Sequence, residues 1–104
     1  MRIEVLFVPG CPNYEPAVER VKRVLAAESL QVDVESISVN TDSDAKALLF
    51  PGSPTIRING NDVEPDQMNE LGLTCRLYAN RTGVPSEEVL RLAVSRAKDM
   101  EQLA

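Results

Sequence analysis

Ile3-Glu4-Val5-Leu6-Phe7-Val8 is an almost unbroken apolar run of strand length, brought to a stop by Pro9-Gly10. A strand with one wet face alternates apolar and polar residues, so a run without alternation needs cover on both faces. The chain must therefore supply a sheet with this strand inside it and helices above and below.

The remaining sequence supplies those parts. From Tyr14, the residues Ala17, Val18, Val21, Val24 and Leu25 recur at helical spacing, with Glu19, Arg20, Lys22 and Arg23 on the other side. This predicts a helix ending near Glu28, with Asn13 as its N-cap and Pro16 harmless in its first turn. Val32 and Val34 alternate with polar residues, and Ile37 and Val39 continue in the opposite phase. Such a slip means either a bulge near Ser36 or a strand whose halves bury different faces. Thr41-Asp42-Ser43-Asp44 offers caps and N-terminal negative charge to a short helix over residues 44–50, closed by Pro51-Gly52. Thr55-Ile56-Arg57-Ile58 reads as a strand, Asn59-Gly60 as a hairpin turn and residues 61–63 as the return strand. Asp62 belongs to this turn chemistry. Pro85-Ser86-Glu87-Glu88 opens a last helix with Val89, Leu90, Ala93, Val94, Ala97 and Met100 on its inner stripe.

The expected order is β-α-β, a short helix, then β-β-α: an α/β fold with a four-stranded mixed sheet and helices on both faces. A right-handed crossover makes the first two strands parallel neighbours, and the hairpin extends the sheet. The 104 residues form one domain, 1–104, with no repeat, linker or low-complexity tract.

Composition removes several classes of function. The net charge of −5 argues against nucleic acid and anionic lipid as partners. No run of about 18 apolar residues is present to span a membrane. The start of the chain reads as a strand instead of a signal peptide, so a reducing, cytoplasmic setting is expected. The chain has no histidine, which excludes Cys–His and Ser–His nucleophilic sites and histidine metal ligands. Its two cysteines, Cys11 and Cys75, are too few for a closed zinc site of thiolates and imidazoles, and neither a resident metal nor a cofactor is expected.

The element order, with Cys11-Pro12 after the first strand and Ser53-Pro54-Thr55 before the third, resembles the thioredoxin fold. More narrowly, Pro9-Gly10-Cys11-Pro12-Asn13-Tyr14, Gly52-Ser53-Pro54-Thr55-Ile56 and Cys75-Arg76-Leu77-Tyr78 look like a group of small bacterial thioredoxin-like proteins, some of them labelled alkylmercury lyases. The resemblance implies an active cysteine, Cys11, at the N-terminus of the first helix. It also implies a cis peptide between Ser53 and Pro54 that directs backbone polar groups toward the sulfur and a bound thiol or peptide. Pro12, Tyr14, Ser53, Pro54, Thr55 and Arg76 are then the candidate substrate-binding residues. The family's redox motif is Cys-x-x-Cys, and here Tyr14 stands at the second position, so Cys11 acts as a monothiol or with a distant partner.

At a helix N-terminus the backbone N–H groups would favour a Cys11 thiolate and lower its pKa; Glu15 opposes this. The alternative is a buried, inert Cys11. Tyr14 either covers or hydrogen-bonds Cys11, or packs as a helix-start aromatic. If Pro54 sits beside Cys11, the third strand starts at the active end and the hairpin returns the chain there. The long connection of residues 64–84, which carries Cys75, then leaves from that same end, and connections of such length are often functional. Cys75 is thus expected near Cys11, although a disulfide would need Cα atoms within about 7 Å. Alternatively, Cys75 anchors the loop as a small hydrophobe with Leu73 and Leu77. Arg76 either supports a thiolate or is solvated or paired with an acidic neighbour. Glu64, Asp66 and Glu70 are expected on a solvated face.

The functional expectation is a thiol–disulfide oxidoreductase in which Cys11 is the nucleophile and Cys75 or glutathione resolves the mixed species. Its partners would be protein or low-molecular-weight thiols and disulfides. The alternatives are a soft-metal or organomercurial-binding protein using both thiolates, and a catalytically inactive interaction module.

Overall fold

The computed structural model describes residues 1–65 and 70–103. The elements follow in the order β1 (Ile3–Phe7), α1 (Tyr14–Ala27), β2 (Val34–Ser38), α2 (Asp42–Ala47), β3 (Thr55–Ile58), β4 (Asn61–Asp62) and α3 (Glu87–Leu103). The sheet order is β2-β1-β3-β4, with β1 and β2 parallel and the other pairs antiparallel. The apolar run is therefore an inner strand, as its lack of alternation requires.

Each face of β1 has its own core. Ile3 and Val5 join Ile56 and Ile58 of β3 beneath Ala17, Val21, Val24 and Leu25 of α1 and Leu90, Val94 and Ala97 of α3. Leu6 points the other way, to Val39, Ala45 and Phe50 around α2. Helices cover both faces, and the two long ones share one of them. The phase slip in β2 is settled by the same division: Val34 packs into the first core and Ile37 into the second. Pairing with β1 is continuous from Val34 to Ser38, so no bulge is needed.

Local chemistry sets the ends of the elements. Asn59 and Gly60 both take positive φ, 53° and 83°, as a two-residue hairpin turn of type I′ demands. The short helix begins earlier than its sequence suggests, because Thr41 is the N-cap and its hydroxyl accepts from Asp44 N–H at 3.0 Å. At its other end, Arg57 Nη2 donates to the carbonyls of Leu48 and Leu49 at 2.7 and 3.0 Å, satisfying acceptors that no further helical turn would reach. Asn13 occupies the N-cap position of α1 but makes no capping hydrogen bond. Its side chain lies instead against Gly83, where a Cβ would come within 2.1 Å of Nδ2. Met100 does not join the buried stripe of α3 and is 68% exposed.

Ile56 belongs to the larger core and is fully buried. Ile56→Ala is expected to cost about 2–5 kcal/mol in urea unfolding, and Ile56→Val about 0.5–1.5 kcal/mol.

Candidate functional site

The site gathers at the end of β1 and the beginning of β3. Two successive turns carry the chain out of β1. Cys11 N–H donates to Val8 O at 3.0 Å across Pro9-Gly10, with Gly10 at φ 85°, and Tyr14 N–H donates to Cys11 O at 3.3 Å across Pro12-Asn13. Proline at the second position and a positive-φ glycine at the third are what a type II turn requires. Cys11 thus sits between turns, ahead of the first residue of α1, and is partly buried. Pro12 is exposed beside it.

Tyr14 is committed elsewhere. Its ring stacks on Phe7 with centroids 4.0 Å apart, and its hydroxyl shares a 2.6 Å hydrogen bond with Ser36 Oγ of β2. The packing role, with β2 as the polar partner, replaces any bond to Cys11.

Ser53 connects the parts. The Ser53–Pro54 peptide is cis. The Ser53 hydroxyl accepts from Val8 N–H at 3.0 Å, which ties it to the turn that carries Cys11. Its backbone N–H donates to Thr74 O at 2.7 Å, and its carbonyl accepts from Arg76 N–H at 3.0 Å, a parallel bridge that sets Cys75 directly alongside Ser53. One serine therefore links both cysteine-bearing segments. The backbone groups of Ser53 that the resemblance would reserve for a bound thiol or peptide are used within the chain. No disulfide joins Cys11 to Cys75.

What holds Cys75 there is its neighbour. Arg76 is neither solvated nor aimed at a thiolate: its side chain is fully buried. Its guanidinium forks onto Asp62, Nη1 to Oδ2 at 2.6 Å and Nη2 to Oδ1 at 2.8 Å. Nη2 also donates to Glu64 O at 2.8 Å and Nη1 to Thr55 Oγ1 at 3.3 Å, and the Thr55 hydroxyl donates to Gly52 O at 2.6 Å. Nε has no hydrogen-bond partner among the described residues. Burial opposes the charge, but the Asp62 hydrogen bond and the surrounding negative charge outweigh it, so the Arg76 pKa lies above its ordinary value.

Asp62 is thus more than turn chemistry: it is the counter-ion of a buried cation. Glu64 is half-buried, and its carboxylate accepts from Ala79 N–H at 3.2 Å. Glu70 is exposed, and Asp66 lies outside the described residues. The anchor of the long connection also differs from expectation. Leu73 and Leu77 are exposed along with Cys75, while Arg76 and Tyr78 point inward.

Tyr78 lies under the guanidinium, with the cation 4.4 Å from its ring centroid, and its hydroxyl donates to Pro54 O at 2.5 Å. Gly52 completes the seat. It has φ 132°, and a Cβ there would stand 3.1 Å from both Cβ and N of Arg76. A groove of about 750 Å³ between the hairpin and α3, lined by Ile58, Val63, Ala97 and Met100 among others, includes neither cysteine. Among the described residues no group of three or more His, Cys, Asp or Glu side chains is placed to hold a metal ion, and no helix is long and apolar enough to cross a membrane.

Sequence reasoning missed the roles of Asp62, Gly52 and the Tyr78 hydroxyl. The signal available was the alternation in Cys75-Arg76-Leu77-Tyr78, which puts arginine and tyrosine on one face and cysteine and leucine on the other. Compared with family models, curated proteins and solved structures, the chain matches none.

Removing one partner of a buried ion pair strands the other charge. Arg76→Met is expected to cost about 3–5 kcal/mol in denaturant unfolding, and Arg76→Met with Asp62→Leu to recover most of that loss.

Burial holds the Tyr78 phenol above its ordinary pKa, with the Arg76 charge opposing. A folded-state pKa above the unfolded one contributes stability that is complete below about pH 10 and lost as pH rises beyond it, by up to about 1.4 kcal/mol per unit. Urea titrations above pH 10 should show this decline in the wild type and a shallower one in Tyr78→Phe.

Proposed function

We propose that the protein is a thiol–disulfide exchange protein working through Cys11 and Cys75. The observation that carries the reading is the double role of Ser53, whose hydroxyl binds the turn before Cys11 while its backbone pairs alongside Cys75. The resemblance of the Cys11-Pro12 and Ser53-Pro54-Thr55 segments to thioredoxin-like proteins supports the same chemistry. A cytoplasmic, reducing setting suits it, because both thiols must begin reduced.

In the exchange, the Cys11 thiolate attacks one sulfur of a disulfide R–S–S–R. A Cys11–S–S–R bond forms and one RS⁻ leaves. The Cys75 thiolate then attacks the Cys11 sulfur and expels the second RS⁻, leaving a Cys11–Cys75 disulfide. The two leaving thiolates take up the two protons given up by the cysteines. The substrate is reduced by two electrons and the protein oxidised by two, and an external thiol returns it to the dithiol. Closing that bond brings the two Cα atoms within about 7 Å.

Cys11→Ser is expected to abolish exchange with a disulfide substrate. Cys75→Ser is expected to complete the first step and stall, with one RS group held on Cys11 in the intact mass. A Cys11 that fails to react in the folded wild-type protein over the time in which the unfolded chain reacts fully would sink the proposal.

A further inference from the structure

We infer that this site takes small uncharged disulfides and excludes extended polypeptide segments, an inference that rests on the exchange reading above. An extended peptide docks on a sheet by adding main-chain hydrogen bonds to an open edge. At Ser53 that edge is closed. Both backbone groups of Ser53 are consumed by residues 74 and 76, and Gly72 N–H donates to Phe50 O at 3.1 Å further along the same strip.

The strip is also fastened from below. Arg76 makes four hydrogen bonds through its side chain, and the Tyr78 hydroxyl binds Pro54 O. Peeling the strip away to admit a peptide would pull a buried cation from its counter-ion, which is strongly unfavourable. Gly52 leaves no room for a side chain, since a Cβ there would stand 3.1 Å from Arg76 Cβ and N.

A small disulfide needs no main-chain pairing. From Cys75 to Tyr78 the strip alternates, so Cys75 and Leu77 are exposed while Arg76 and Tyr78 are buried, and Leu73 is exposed on the other side of Cys75 in sequence. Two leucines flanking a thiol offer an apolar seat for a compact substrate. The chain's charge of −5 disfavours anionic ones. The covalent step is the same exchange: one thiolate of the pair forms a disulfide with one half of the substrate and releases the other half as a thiolate.

The test measures mixed-disulfide formation by mass spectrometry on the full-length protein with three probes. These are bis(2-hydroxyethyl) disulfide, its dianionic counterpart bis(carboxymethyl) disulfide, and a peptide of about eight residues whose cysteine carries 2-mercaptoethanol in a disulfide. Each rate is divided by the rate with the urea-unfolded chain, which removes intrinsic reactivity. The uncharged small disulfide is expected to lead the peptide by at least about tenfold and the dianion severalfold. Leu73→Ser with Leu77→Ser, both surface changes, should slow the uncharged probe severalfold. A peptide as fast as the small probe, a dianion equally fast, or a double variant unchanged in rate would each overturn the inference while leaving the exchange reading intact. No adduct with any probe would overturn the exchange reading itself.

Discussion

A buried guanidinium has to be paired, and the path of the chain from the hairpin to the last helix follows from that need. The Arg76 side chain has no exposed surface, so its charge survives because Asp62 presents both carboxylate oxygens to it and Glu64 offers a carbonyl. Asp62 sits on β4, two residues past the Asn59-Gly60 turn. The turn therefore positions the counter-ion, the counter-ion positions Arg76, and Arg76 positions Cys75 one residue before it. A loop of this length would otherwise carry a large conformational freedom.

The sheet supplies the frame on which that pair can act. β1 and β3 are antiparallel neighbours, so the end of one lies beside the start of the other, and Ser53 and Val8 meet there. Two cores, one on each face, hold the strands rigid up to that point. Cys11 then lies between two turns past the end of β1, and Cys75 on the strip that pairs with Ser53.

The site obtains its chemistry from placement rather than from a large set of catalytic groups. Without histidine, no side-chain base of that kind can activate a nucleophile, and the phenol that follows Cys11 at the third position is stacked on Phe7 and bonded to Ser36. What remains is a pair of thiol segments joined through one serine, with an arginine fixed beneath them for structural reasons. Sulfur exchange is the reaction we propose for such an arrangement.

Much of the fold could be read from the residues alone, because it depends on local rules. The unbroken run at Ile3 to Val8 demanded a two-sided strand, Asn59-Gly60 demanded a hairpin, and the stripes in α1 and α3 demanded one buried face each. Helix ends were less legible. Asn13 has the right side chain for a cap, yet it makes no capping bond and lies against the distant Gly83. That the chain returns after the hairpin to the end of the sheet where Ser53 lies followed from counting strand reversals. The identity of the loop's anchors did not, because hydrophobicity favours leucine over arginine for burial and no local rule pairs Arg76 with an aspartate 14 residues earlier. The sequence by itself determined the order of elements, the central strand and which residues have sulfur chemistry to offer. Tertiary structure alone decided that Arg76 goes inside, that Leu73 and Leu77 stay out, and that the backbone of Ser53 is spent within the chain. Those choices depend on contacts between segments far apart along the chain, where the energy of a paired buried charge outweighs the preference of each residue taken alone.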